Sequence, residues 1–198
     1  MKESQGRGTL HLHALLWLAG APNSNELSEL LHTEDFRERV KAFISQTCRA
    51  SVDGVFNIQD LDAVPTKSDV AYCRPPNPAS NDYNTAVADL ERQVACTKQR
   101  HKCTIMTCLL ASRTGALACK RRAPWPLSAQ DRVDEDGHWL PRRHVGCLNT
   151  WNPSVTINVR GNNDIKLLTN GQVTRGLTFY VSMYATKKQG KSYNTSAL

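Results

Sequence analysis

Gly8-Thr9-Leu10-His11-Leu12-His13-Ala14-Leu15-Leu16-Trp17-Leu18 is the stretch on which the fold turns. Two histidines flank a single leucine inside an apolar, strand-forming run. Side chains two apart on a strand leave the same face. The pattern predicts a strand with His11 and His13 side by side and Leu10, Leu12, Ala14 and Leu16 on the other face. Two adjacent imidazoles on a rigid strand can hold a divalent metal, with room for a third ligand and for substrate. Glu3 and Gln5, two apart just upstream, are both candidates for that third ligand. Glu3 has the better charge and Gln5 lies closer; spacing does not choose between them.

The bulk of the chain narrows the partners. Its 198 residues fit one domain, or one domain with a small insert, and can bury a core. A hydrophobic share of 40% with 22% charged residues is that of an ordinary globular protein. The net charge of +7 makes nucleic acid the first partner to consider. No apolar run reaches the length of a membrane span, and no signal-peptide core follows the N-terminus. Seven cysteines with no export signal favour metal ligation or buried thiols over disulfides.

Outward from the opening strand, Ala19 to Asn23 reads as a turn. Asn25 is the expected cap of a short helix through Leu31. Thr33 is the expected cap of a second, with Glu34 and Asp35 in its first turn and Phe36, Val40, Phe43 and Ile44 at helical spacing. From Ser51 to Pro78 prolines punctuate what reads as loop. Tyr83, Val87, Leu90 and Val94 form one stripe of a third helix, from Asn81 to about Gln99. Asp131 to Arg143 is expected to be a solvated loop or hairpin. Val155, Ile157 and Val159 alternate with polar residues, and Ile165 to Leu168 follows a polar turn; both read as short strands. Asn170-Gly171 reads as a tight turn, and Leu177 to Lys188 as a closing helix.

Three further groups carry chemistry. On the closing helix Tyr180, Tyr184 and Lys187 fall at i, i+4 and i+7, so they line one face. Two phenols about 6 Å apart, with an ammonium beyond them, suit two successive phosphoryl transfers through phosphotyrosine. His101, Cys103, Cys108 and Cys119 supply four zinc-type ligands in a short basic segment, a legitimate tetrahedral set of structural type. Lys120, Arg121 and Arg122, with Arg142-Arg143 and Lys187-Lys188, interleave with Trp125 and Trp139 in a manner that suits a single strand.

Together these residues resemble a known family. Gln5-Gly6-Arg7-Gly8-Thr9-Leu10-His11-Leu12-His13 is similar to the HUH motif of Helitron transposases, in the segment called the Helitron helicase-like domain. Asn162-Asn163-Asp164-Ile165-Lys166, then Phe179-Tyr180 through Tyr184 and Lys187, resembles that family's two-tyrosine motif and its approach. The His/Cys cluster with Arg121 and Pro124-Trp125-Pro126 is similar to its zinc-like insert. The order along the chain agrees as well.

The resemblance implies an α+β domain over residues 1–198: an antiparallel sheet with flanking helices of the replication-initiator type, incomplete, with 101–126 as a zinc-binding insert. It implies magnesium or manganese on His11 and His13 and structural zinc on the cluster. Tyr180 and Tyr184 become the nucleophiles and Lys187 a phosphate-stabilising residue; Lys120, Arg121, Arg122 and Lys188, from the basic runs, are the expected DNA contacts. Asp164 matches a recurring acidic position, either a metal contact or a structural residue. The implied activity is nicking and transfer of single-stranded DNA in rolling-circle transposition, in the nucleus. Family members carry further strands before the histidine strand and a helicase domain after the tyrosines. This chain begins almost at the strand and has no GxxxxGK[ST], so a truncated or decayed copy without ATP hydrolysis is expected. The competing expectation is a non-catalytic, zinc-stabilised remnant that binds single strands.

Overall fold

Element order in the computed structural model is β1 (Lys2–Ser4), β2 (Leu10–Leu12), α1 (Ser24–Leu31), α2 (Glu34–Thr47), α3 (Ile58–Ala63), a 3-10 turn (Val70–Tyr72), α4 (Tyr83–Lys98), β3 (Leu109–Ala111), β4 (Leu117–Cys119), β5 (Arg132–Val133), β6 (Trp139–Leu140), α5 (Pro153–Val159) and α6 (Gly171–Thr186). The structure describes residues 2–4, 10–65, 70–105, 108–111 and 115–186, with positions 2–4, 10–11 and 184–186 as backbone alone. The class is mixed helix and strand, as expected. Among the described residues the strands form three separate antiparallel pairs, β1–β2, β3–β4 and β5–β6, and do not join into one sheet. Each strand has two or three residues, well below the usual length of about five or six. The chain divides into two compact units, one of Met1–Glu29 with Leu168–Leu198 and one of Leu30–Leu167.

In the Leu30–Leu167 unit the core gathers around α4. Ala95 and Cys96 pack with Val52, Val55, Leu61 and Val64 from the segment after α2, and with Val145, Leu148 and Trp151. Trp151 is fixed at both ends. Its backbone pairs with Arg49, and its indole N–H donates to Glu91 Oε1 at 2.9 Å, while Arg49 meets Glu91 Oε2 at 2.8 Å. A buried indole needs such an acceptor. The α2 stripe is weaker than its sequence suggested: Ile44 is buried, but Phe43 is exposed.

Capping chemistry corrects several expectations. Asn23, not Asn25, caps α1: its Oδ1 accepts from the N–H groups of Asn25 and Glu26, and Glu26 Oε2 accepts from Asn23 N–H, a reciprocal box. Thr33 is the residue before α2, but its hydroxyl donates backwards to Leu30 O. Inside the expected loop, Asn57 Oδ1 accepts from Asp60 N–H and starts α3.

The expected strand at Val155, Ile157 and Val159 is instead α5. Asn152 Oδ1 accepts from Val155 N–H, Pro153 opens the helix, and Arg160 ends it with φ 54°. Thr156 faces inward at 0% exposure, while Val155 and Val159 are exposed. The reason is a buried polar network. Asn163 Nδ2 donates to Thr156 Oγ1 at 2.9 Å, Asn163 Oδ1 accepts from Asn152 N–H, and Asn163 N–H donates to Gln99 Oε1. The expected strand at Ile165 to Leu168 is also absent; Leu167 O accepts from the Trp139 indole instead. The 131–143 hairpin is present as β5–β6.

In the other unit β1 and β2 pair in the register Lys2↔Leu12, Glu3↔His11, Ser4↔Leu10. The described strand ends at Leu12, so His13 lies just beyond it and the two histidines do not share the strand as expected. Leu15, Leu16, Trp17 and Leu18 are exposed, with Trp17 at 85%. Asn170 does not close a tight turn. Its Oδ1 accepts from Val173 N–H and caps α6, which starts at Gly171, earlier than expected. Among the described residues no helix is long and apolar enough to cross a membrane.

Candidate metal centre

His101, Cys103, Cys108 and Cys119 come together: one ligand atom from each lies within 4.8 Å of all the others. His101 and Cys103 follow α4. Cys108 enters β3 and Cys119 ends β4, and the antiparallel register Leu109↔Cys119 puts both at the same end of the hairpin, one residue out of step. Lys120 N–H donates to Cys108 O and locks that register. The Thr104 turn brings Cys108 round: Cys108 N–H donates to Thr104 O at 3.0 Å, and Thr104 N–H donates to Cys108 Sγ at 3.3 Å. His101 Nε2 lies 3.1 Å from Cys103 Sγ and 3.3 Å from Cys119 Sγ. Arg122, in the left-handed region with φ 59°, folds the chain back beneath Cys119 through its N–H to Cys119 O.

The electrostatics of the cluster are those of a ligand set. Burial raises the Cys119 thiol, but the backbone N–H groups of Ala123 and Arg121, with Cys103 and His101, outweigh it and bring it down to about 6. Desolvation and the neighbouring Cys119 and Cys108 push the Cys103 thiol up to about 12. One thiolate forms readily and the next resists in its field. A divalent cation removes that conflict, because coordinated thiols are deprotonated outright. Three sulfurs and one imidazole nitrogen suit a soft or borderline ion in tetrahedral coordination. The cluster can therefore hold a metal such as zinc. None of the seven cysteines is in a disulfide.

Both flanks of the cluster hang on one segment of the core. His101 N–H donates to Cys147 O at 2.8 Å, and Trp125 N–H donates to Gly146 O at 2.8 Å. Gly146 is needed there: a Cβ would meet Pro124 Cβ and Trp125 O at 3.0 Å. The basic residues Lys120, Arg121 and Arg122 follow Cys119 directly and are exposed. A second acidic group, Asp134, Asp136 and His138, is wholly exposed, and Asp134 Oδ1 serves the β5–β6 turn by accepting from His138 N–H.

The histidine and tyrosine motifs meet in the smaller unit. The rings of His13 and Tyr180 lie edge to face, with centroids 5.5 Å apart at 71°. Position 184 follows one turn along α6. Glu3 and His11 are opposed in the β1–β2 register. Their side chains, that of Tyr184, and Gln5, Lys187 and Lys188 altogether, lie outside the described residues. A magnesium or manganese ligand set is thus not assembled among the described residues. Asp164 pairs with Lys166 at 3.1 Å, which suits a structural role. Sequence grouped Trp125 with Arg142-Arg143 as a strand-tracking set; that Trp125 meets the His101 ring and Arg143 lies over the Trp125 ring was not foreseen. No protein-family model, curated protein or solved structure matches the chain.

Proposed function

We propose that the chain is a two-tyrosine, metal-dependent nicking and joining domain for single-stranded DNA, of the kind its motifs resemble in Helitron transposases, with zinc as a structural ion on His101, Cys103, Cys108 and Cys119. The observation that carries the reading is the contact of His13 with Tyr180. These residues come from opposite ends of the chain. Residue spacing marks the first as a candidate metal ligand and the second as a candidate nucleophile, and one family resemblance carries both roles.

Tyr180 is partly exposed on α6, within reach of a bound strand. Its phenolic oxygen attacks phosphorus, its proton passes to solvent, and the bond to the 3′ oxygen breaks. That oxygen takes up a proton as a free 3′-hydroxyl, and the 5′ phosphate stays on the tyrosine. Tyr184, one turn on, handles the second strand. Lys187 offsets phosphate charge. Magnesium or manganese on His11 and His13, with Glu3 or Gln5, would polarise a phosphoryl oxygen. On the same reading the protein works in the nucleus.

The test is a labelled single-stranded oligonucleotide with Mn²⁺. A covalent protein–DNA adduct should form, and should vanish in a Tyr180→Phe, Tyr184→Phe double variant. Absence of adduct, or its survival in the double variant, refutes the reading. A second reading, a non-catalytic strand-binding module held by zinc, is favoured by the exposed Lys120-Arg121-Arg122 run directly behind Cys119. It predicts salt-sensitive binding without cleavage, indifferent to His11 and His13.

A further inference from the structure

A tilted ring contact and a cation–π contact meet at Trp125, beside the His/Cys cluster. The Trp125 indole lies 5.7 Å from the His101 imidazole, centroid to centroid, tilted by 56°. The Arg143 guanidinium sits 5.6 Å over the Trp125 ring. Arg143 is itself a fixed post. It is only 4% exposed, its backbone pairs with Ser128 in both directions, and its two terminal nitrogens donate to Pro126 O at 3.2 Å and to Thr150 Oγ1 at 3.1 Å. It has no carboxylate in ion-pair contact among the described residues, and its Nε has no hydrogen-bond partner there. Asp164 acts on its charge from beyond ion-pair contact, and the aromatic ring of Trp125 lies against the guanidinium itself, an arrangement that gains strength when desolvated.

We infer that Trp125, braced by the buried Arg143, is a positioning residue for the metal centre: it holds the His101 ring so that Nε2 faces Cys103 and Cys119. Without that wall the imidazole is free to turn about its side-chain bonds. The backbone bond from His101 to Cys147 fixes the main chain but not the ring. Outer-shell partners that orient a ligand typically govern metal affinity by about 10–100-fold. The inference rests on the metal reading of the cluster, and the experiment separates the two.

Zinc affinity and the visible spectrum of the Co²⁺-loaded full chain are measured for the wild type and for Trp125→Leu, Trp125→Phe and Arg143→Lys. The wild type should show the ligand-field bands of a tetrahedral thiolate site. Trp125→Leu should lose about 10–100-fold in zinc affinity and show altered bands, with Trp125→Phe restoring most of both. Arg143→Lys keeps the charge but loses the planar stack. It should fall in the same direction, which keeps the inference testable if Trp125→Leu does not fold. Wild-type affinity and bands in Trp125→Leu, or in Arg143→Lys where Trp125→Leu does not fold, overturn the inference even if thermal stability drops. A wild type that takes up neither ion overturns the metal reading and the inference together.

Discussion

Chelating the metal should loosen one hairpin and leave the core intact. Among the described residues from 101 to 127 only Cys108 is buried, and none belongs to the core cluster around α4. Their regular structure is a pair of three-residue strands, β3 and β4, and an isolated two-stranded hairpin is marginal in water. Its order must come from the backbone bonds at its two ends and, on the metal reading, from an ion held by the cluster. With free zinc about 1,000-fold above its dissociation constant, binding stabilises the closed segment by about 4 kcal/mol. Removing zinc with EDTA should therefore raise the open population of residues 108–119 by about a thousandfold. Hydrogen exchange read by mass spectrometry or NMR would show amide protection falling by that factor across β3–β4. The α4 amides near Val94, Ala95 and Cys96, which lie fully in the core, should exchange as before. Unchanged protection at β3–β4 would show that no metal holds the segment. An equal loss in α4 would show that cluster and core open as one unit; either result refutes the argument.

Thr156→Val should destabilise the protein by about 1–3 kcal/mol in urea titration, because Asn163 Nδ2 loses its buried acceptor at 2.9 Å; Thr156→Ser, which keeps an oxygen there, should cost less. Gly146→Ala forces a methyl to within 3.0 Å of Pro124 Cβ and Trp125 O; a loss of about 1–3 kcal/mol is expected, and none would mean the chain there yields freely. Replacing Lys120, Arg121 and Arg122 together by Ala should reduce the slope of log affinity against log salt for single-stranded DNA by about 2, at roughly 0.7 per lost phosphate contact; an unchanged slope places the DNA elsewhere.

Sequence alone determined what depends on neighbours along the chain. The amphipathic stripe of Tyr83, Val87, Leu90 and Val94 announced α4, since helical spacing is a local property. His101, Cys103, Cys108 and Cys119 could be named as one ligand set because a turn at Thr104 and a short hairpin suffice to gather them. Where the chemistry was non-local, pattern misled. Alternation at Val155, Ile157 and Val159 suggested a strand, yet Asn152 and Pro153 start a helix there, and Asn163 draws Thr156 inward. Only the tertiary structure decided that His13 meets Tyr180 and that Trp125 meets both Arg143 and His101. Spacing specifies which side chains share a face of one element. Which faces then meet is decided by burial and hydrogen-bond satisfaction across the whole chain, and no single segment contains that information.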